Sequence, residues 1–348
     1  MRVALLTTQV PFVYGGAEQL TDSLSHALTE AGHKVAIVAI PLRWYPPSSL
    51  VDHTIASRML DVSESSGVPI DRAIGLKFPA WMMQHPDKTL WIVHQHRQAY
   101  DLWDSGQGDL MESVDGIGVR DFVRAADQMA LAECRAVYTI SKNVSARLAR
   151  YSGVEAPHLY SPPAGAEQFY CSGYEPYLFF PSRLNRLKRQ WLALEALALC
   201  KQPVSIVFAG APDDPAELTG LQQTAARLGV ANQVRWAGRV SEAEKLSLYA
   251  GALGVIFPPV DEDYGYVGLE AMLASKAIIT CTDSGGVLEF AHHGSNGLVA
   301  EPNPAAMAET FDMLWSRQDL ARTYGRASRE LYDSMNISWQ NIVATLVG

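Results

Sequence analysis

Short apolar runs alternate with longer stretches of helical periodicity along the whole chain. Val3–Thr7, Lys34–Ile40, Leu90–His94 and Val137–Ile140 read as strands. Gly16–Ala31, ending at Gly32, Val119–Cys134 and Asn143–Tyr151, stopped by Gly153, read as helices. The stretch Pro162–Pro176 mixes proline, glycine and polar residues and reads as a linker. A second series follows it. Its strands are Tyr177–Phe180, Val204–Ala209, Gln233–Trp236, Gly254–Phe257, Ala277–Cys281 and Gly297–Val299. Its helices are Lys188–Cys200, Pro215–Leu228, Ser241–Ala250 and Gly265–Ser275. Such alternation implies parallel sheets covered by helices on both faces. The expected architecture is α/β, with two Rossmann-like α/β/α domains facing each other across a cleft. The first is expected over residues 1–165 and the second over 166–336. The terminal helix Ile337–Leu346 lies in a tail, 337–348, expected to cross back to the first domain.

The most informative segment runs from Pro258 to Met272. Glu262 sits in a polar loop after the apolar run Leu253–Val260. Glu270 stands alone in an apolar stretch, Tyr266–Ala274, that reads as a buried helix. A carboxylate there is costly unless fixed donors hydrogen-bond it, and sugar or ribose hydroxyls are such donors. The first amides of the helix, at Gly265, Tyr266 and Val267, have no intrahelical acceptors. With the helix dipole they make an anion site suited to phosphate. An acidic loop and a glutamate satisfied by local backbone or an arginine would account for the same pattern.

Arg183 and Lys188 follow the strand Tyr177–Phe180, where ligands of open α/β sheets gather. A fork and a point charge there could neutralise a diphosphate. A solvated basic turn, four cations between Arg183 and Arg189, is the plainer account. Gly15 and Gly16 open the first helix and would let backbone approach a ligand closely, or simply form a tight turn. The sequence there is not G-x-G-x-x-G, so no dinucleotide fingerprint is present. His94 and His96 end the strand Leu90–Val93 and point to one side of it. No third ligand at suitable spacing accompanies them, so a metal site is not expected. A sugar-facing role is, with His96 ahead of His94, a satisfied core histidine being the alternative for either. Asp261-Glu262-Asp263 imitates a D-x-D metal–diphosphate signature, but the helix that follows offers a metal-free alternative.

Composition narrows the choice of partners. The 348 residues carry a net charge of −9, which argues against a nucleic-acid binder and gives no basis for broad attraction to anionic lipid. The 48% hydrophobic content and 26 glycines suit a globular α/β protein. No apolar run approaches the roughly 20 residues of a membrane-spanning helix, and the N-terminus reads as a strand, not a signal peptide. Cys134, Cys171, Cys200 and Cys281 show no metal spacing and read as reduced cysteines of a cytoplasmic protein.

Taken in order, these motifs resemble the retaining glycosyltransferases of the GT-B fold, family 4 (glycosyl transferases group 1), over nearly the whole chain. Gly15-Gly16-Ala17-Glu18 is similar to the family's glycine-rich first loop, and His94-Gln95-His96 to its histidine region. Ile140-Ser141-Lys142-Asn143-Val144 is similar to its Ser-containing strand end, and Arg183 and Lys188 to its Arg-x4-Lys pair. Gly238-Arg239-Val240-Ser241 resembles its base-contacting loop, and Glu262 and Glu270 its Glu-x7-Glu motif. Ser284-Gly285-Gly286 with Glu289, Asn296-Gly297-Leu298 and Ser338-Trp339 complete the series. The family usually has glycine before the arginine and after the lysine, where this chain has Ser182 and Arg189. That departure implies a different phosphate-cradling backbone near Arg183, with the two cations kept.

The resemblance implies transfer of a sugar from a nucleotide diphosphate sugar to an acceptor hydroxyl, with no cofactor and no metal. Glu270 would hold the ribose, and the backbone of Gly238, Arg239 and Val240 the base. Arg183, Lys188 and the Gly265–Val267 amides would hold the diphosphate, Glu262 the sugar, and His96 the reacting face. Gly15, Gly16 and His94 would line the same donor site. The acceptor would be a saccharide or a lipid-linked saccharide, with peripheral membrane contact left open. Trp44, Tyr45, Tyr100 and Trp103 are aromatics that could stack on it or simply pack. A nucleotide-sugar epimerase and a non-catalytic sugar-nucleotide binder are the competing expectations.

Overall fold

The computed structural model describes every residue except Val13. The chain divides into two units, one of Met1–Ala164 with Ser338–Gly348 and one of Gly165–Ile337.

The strands of the N-terminal unit are β1 (Arg2–Gln9), β2 (Lys34–Pro41), the short hairpin β3 (Glu64–Ser65) and β4 (Val68–Pro69), β5 (Arg72–Lys77), β6 (Lys88–His94) and β7 (Ala136–Thr139). Its helices are α1 (Gly16–Glu30), α2 (Ser48–Arg58), the single turn α3 (Asp101–Asp104), α4 (Gly116–Ala132) and α5 (Lys142–Ser152). The main sheet is parallel with the order β2-β1-β5-β6-β7. Its central strands β1, β5 and β6 are buried almost throughout, as expected of parallel strands covered on both faces.

In the C-terminal unit the strands are β8 (Leu178–Pro181), β9 (Ile206–Ala209), β10 (Val234–Gly238), β11 (Gly254–Ile256), β12 (Ala277–Cys281) and β13 (Gly297–Ala300). They form a parallel sheet in the order β10-β9-β8-β11-β12-β13. The helices are α6 (Gln190–Leu197), α7 (Pro215–Arg227), α8 (Glu242–Gly251), α9 (Tyr266–Leu273), α10 (Pro304–Ser316) and α11 (Gln318–Ser334). Counted within the unit, this order is 3-2-1-4-5-6, the doubly wound arrangement whose switch point lies between β8 and β11. The corresponding point of the N-terminal unit lies between β1 and β5. The terminal helix α12 (Trp339–Val347) packs against α1, and Trp339 sits edge-on to Trp91 with ring centroids 6.2 Å apart.

Three features depart from the pattern read along the sequence. β5 occupies the middle of the N-terminal sheet, although Arg72-Ala-Ile-Gly-Leu-Lys77 shows only a short apolar stretch between two cations. Gly75 is required there, because a Cβ would come within 2.6 Å of Leu90 and 2.8 Å of Trp81. Arg72 is buried because its guanidinium donates to the carbonyls of Leu346 (3.2 Å) and Gly348 (3.3 Å) at the end of α12, and to Asp87 (3.1 Å). A cation at a helix C-terminus is the complement its carbonyls favour. Second, α2 forms where no helical stripe is visible. Third, the single helix expected from Lys188 to Cys200 is broken. Arg186–Lys188 is a 3₁₀ turn capped by Asn185, Arg189 takes a left-handed conformation (φ 59°), and α6 begins at Gln190. Among the described residues no helix is long and apolar enough to cross a membrane.

Candidate functional site

The carboxyl ends of β8 and β11 carry the charged residues singled out above, so they sit at the switch point of the C-terminal sheet. Three loops are joined there by backbone hydrogen bonds. Val260 donates to Leu187 (2.8 Å), Asp261 to Asp283 (2.9 Å), Glu262 to Ser284 (3.2 Å), and Gly286 donates back to Glu262 (2.7 Å). Gly286 permits this approach, since a Cβ would lie 2.6 Å from the Asp263 carbonyl.

On this platform Lys188 Nζ forms an ion pair with Glu262, both side chains largely buried, and the ammonium also lies 5.2 Å from the Phe257 ring centroid. Gly265 turns the chain into α9 through a left-handed conformation (φ 86°), and no side chain caps the helix. Its leading amides and dipole are therefore directed past Gly265, Tyr266 and Val267, as an anion site requires. Glu270, one turn further on, is satisfied neither by backbone nor by an arginine. Its Oε2 accepts from Tyr249 (2.6 Å) and its Oε1 from Lys245 (3.2 Å), both on α8. Burial works against the Lys245 ammonium, but Glu270 and Glu242 together hold its pKa above the usual value. Burial and the Glu270 charge push the Tyr249 hydroxyl well up, so it remains a donor. Lys245 and Tyr249 had no motif to announce them. Their spacing of four places them on one helical face, but nothing in it names Glu270 as their partner.

Arg183 and Lys188 do not share a partner. Arg183 is half-exposed and pairs with Asp213 in the loop after β9 (2.8 Å), which also accepts from Asn185 (2.9 Å). Arg189, in the place of the family's glycine, is held in its left-handed conformation by a two-pronged pair with Asp283 at 2.6 and 2.5 Å. Ser182 accepts from Gln190 at 2.8 Å. Gly238 (φ 64°) ends β10 and its carbonyl accepts from Gly210 (2.8 Å), while Arg239 is exposed. Ser241 closes that loop as the N-cap of α8, with Glu244 returning the bond.

The N-terminal unit presents its residues at the ends of β1, β5 and β6. Gly15 donates its N–H to Glu18 (2.9 Å), and Glu18 pairs with Lys77 at the end of β5 (2.9 Å), bridging that unit's switch point. Burial alone would raise the Glu18 carboxyl, but Lys77 and the Gly15 amide hold it below its usual range. His94 is half-buried and donates from Nδ1 to the carbonyl of Gln95 (2.7 Å). The His96 ring packs against Phe78 with centroids 5.6 Å apart, and its Nε2 is buried without a hydrogen-bond partner. Burial, and then neighbouring His94, push its pKa down to about 4, so the ring is neutral at physiological pH. Ser141 is committed locally, its hydroxyl capping α5 by accepting from Val144 (3.0 Å). Among the described residues no three His, Cys, Asp or Glu side chains are grouped to hold a metal ion.

Comparison with known proteins supplies the remaining context. The profile of the family described as glycosyl transferases group 1 matches residues 171–331. The human alpha-1,3/1,6-mannosyltransferase ALG2 is 28% identical over 161 residues, 42% of this chain and 38% of that protein. The D-rhamnosyltransferase WbpZ of Pseudomonas aeruginosa is 30% identical over 159 residues, 45% of this chain and 40% of that protein. The chain thus spans about two fifths of the length of the curated relatives it matches. Among solved structures, sucrose-phosphate synthase from Thermosynechococcus elongatus superposes with a TM-score of 0.77 at 17% identity, covering 99% of this chain and 96% of the other. Anabaena HepE, solved in complex with UDP and glucose, gives 0.72 at 16%, covering 99% and 98%. The fold of the chain is GT-B.

Proposed function

Because residues 171–331 form a glycosyl transferases group 1 domain within a chain of GT-B fold, we propose that this protein transfers a sugar from a nucleotide diphosphate sugar to an acceptor hydroxyl, with retention at the anomeric carbon. One observation carries the reading. Lys188 and Glu262 meet at the sheet's switch point beside the uncapped start of α9, and Glu270 stands one turn along the same helix. Lys188 exchanges Glu262 for the donor's diphosphate, leaving that carboxylate to accept from sugar hydroxyls. The leading amides of α9 and Arg183 share the charge that grows on the leaving group. Donors preorganised in this way commonly supply a hundredfold or more in rate, and here they do so without a metal. Glu270, held from behind by Tyr249 and Lys245, keeps lone pairs for the two ribose hydroxyls. The base meets the loop Gly238–Val240.

The N-terminal unit is assigned the acceptor, a saccharide or lipid-linked saccharide of cell-surface polysaccharide, lipopolysaccharide or glycolipid synthesis. WaaG, whose fold this chain shares, is a glycosyltransferase involved in lipopolysaccharide biosynthesis, which is in keeping with that class. His96 acts there as a neutral hydrogen-bonding group near the reacting sugar.

The test begins with melting temperatures across a panel of nucleotides and nucleotide sugars, since a ligand bound only by the folded state raises the melting point. The best donor is then incubated with saccharide acceptors, and the anomeric configuration of the product is read by proton NMR. No stabilisation by any nucleotide sugar overturns the reading. Isomerisation of the donor without acceptor would identify an epimerase, and binding with no release of nucleotide diphosphate a non-catalytic binder.

A further inference from the structure

A carboxylate outside the motifs lies at the centre of the N-terminal unit. Asp127, on α4, is 1% exposed. Its Oδ1 accepts from Trp81 Nε1 (3.0 Å), and its Oδ2 from the Tyr100 hydroxyl (2.8 Å) and from Gln95 Nε2 (3.2 Å). All three donors are uncharged. Burial accordingly drives the carboxyl up to about 6, the three hydrogen bonds recovering only part of the cost.

Each donor leads to His96, Gln95 directly and the other two through one intermediate. Gln95 is its neighbour in sequence, and also donates to Ser152 on α5 (3.1 Å). Tyr100 closes the turn that begins at His96, where Ala99 donates to the His96 carbonyl (2.8 Å). Trp81 packs edge-on against Phe78 (6.0 Å), the ring on which His96 rests. Arg124, one turn before Asp127, donates to the Ala99 carbonyl (2.7 Å) in that same turn. The side chains around His96 are thus tied from three directions to one acceptor-only group. An asparagine of the same shape would set its amide nitrogen against the N–H of either Trp81 or Gln95 and lose that hydrogen bond.

We propose that Asp127 is a positioning residue for this reaction, fixing through Gln95, Tyr100 and Trp81 the orientation in which the His94-Gln95-His96 segment presents its imidazoles. The proposal rests on the transferase reading for its consequence in turnover, but not for its geometry.

The test compares the full-length wild type with Asp127→Asn. Long-range proton–nitrogen NMR spectra report the ring nitrogens of all nine histidines. The His94 and His96 signals are expected to move, while that of His26, exposed on α1, stays in place. In transfer assays kcat is expected to fall roughly 10- to 100-fold, as small misplacements of reacting groups commonly cost, with the donor KM within about twofold. Gln95→Ala should show a weaker form of both effects. If Asp127→Asn does not fold, Tyr100→Phe removes one donor while keeping the ring, and the same spectra are read. His94 and His96 signals superimposing on the wild type would overturn the proposal, as would equal losses in kcat and donor affinity. A wild type that transfers no sugar would sink the transferase reading alone, and the spectra would still decide the role of Asp127.

Discussion

The two units build the same kind of parallel sheet and each sets an ion pair at its switch point, but they furnish the neighbouring loops and strand ends in opposite ways. The C-terminal unit sets out ion pairs at its rim: Lys188 with Glu262, Arg183 with Asp213, Arg189 with Asp283, Lys245 with Glu270. Beyond its Glu18–Lys77 pair, the N-terminal unit withdraws its chemistry from water. His96 is desolvated and neutral, and Asp127 is met only by neutral donors. Paired charges near the surface can trade partners for an anionic ligand at modest cost, because neither is left bare. A desolvated imidazole cannot bind an anion by charge, but it keeps one protonation state over a wide pH range. Under the proposed function, donor binding falls to the first arrangement and acceptor chemistry to the second.

Lys188→Ala should break the contrast hardest. Transfer is expected to drop about 100- to 1000-fold, with nucleotide diphosphate release as the readout. Near-normal turnover would remove the lysine from the diphosphate and leave the rim charges merely structural.

Acid titration separates the two buried groups of the N-terminal unit by sign. His96 has its pKa lowered in the folded chain, so its stabilising share is complete above pH 6.5 and is lost as pH falls toward 4. Asp127 has its pKa raised, so its share is complete below pH 3.8 and is lost as pH rises through 6. The melting-point difference between wild type and His96→Phe should therefore grow from pH 4 to 6.5. That between wild type and Asp127→Asn should shrink over the same range. Each swing is worth up to about 3 kcal/mol at 1.36 kcal/mol per pH unit. Parallel curves would show that one of the two is not desolvated as described.

For Glu270→Ala, calorimetry should find donor affinity weakened about tenfold, roughly 1.4 kcal/mol, and the melting point of the free protein should fall as well, because Lys245 and buried Tyr249 lose their shared acceptor. Unchanged affinity would free Glu270 from the ribose. The smallest effect is expected at Arg189. Both Arg189→Ala and Arg189→Gly lose the Asp283 pair, but only glycine relieves the left-handed backbone. The glycine variant should be more stable by about 1 kcal/mol, a few degrees in melting point. Equal melting points would mean that the turn relaxes once the pair is gone.

Legibility in the sequence followed burial. Ala277–Cys281 was readable residue for residue because a strand covered on both faces is an unbroken apolar run between turn signals. β5 was not, since its central place depends on Gly75 fitting under Leu90 and Trp81 and on Arg72 finding the end of α12. The break at Arg189 was hidden too, because the two-pronged pair that holds the left-handed arginine is with Asp283, 94 residues away. Local order in this protein, its α/β alternation, its two series of strands and the exposed ends where charged motifs fall, was written in short-range periodicity and turn chemistry. Pairings such as Tyr249 with Glu270 or Asp127 with Gln95 came only with the folded chain. They join groups far apart in sequence, and a hydrogen bond has no signature until both partners have been brought out of water together.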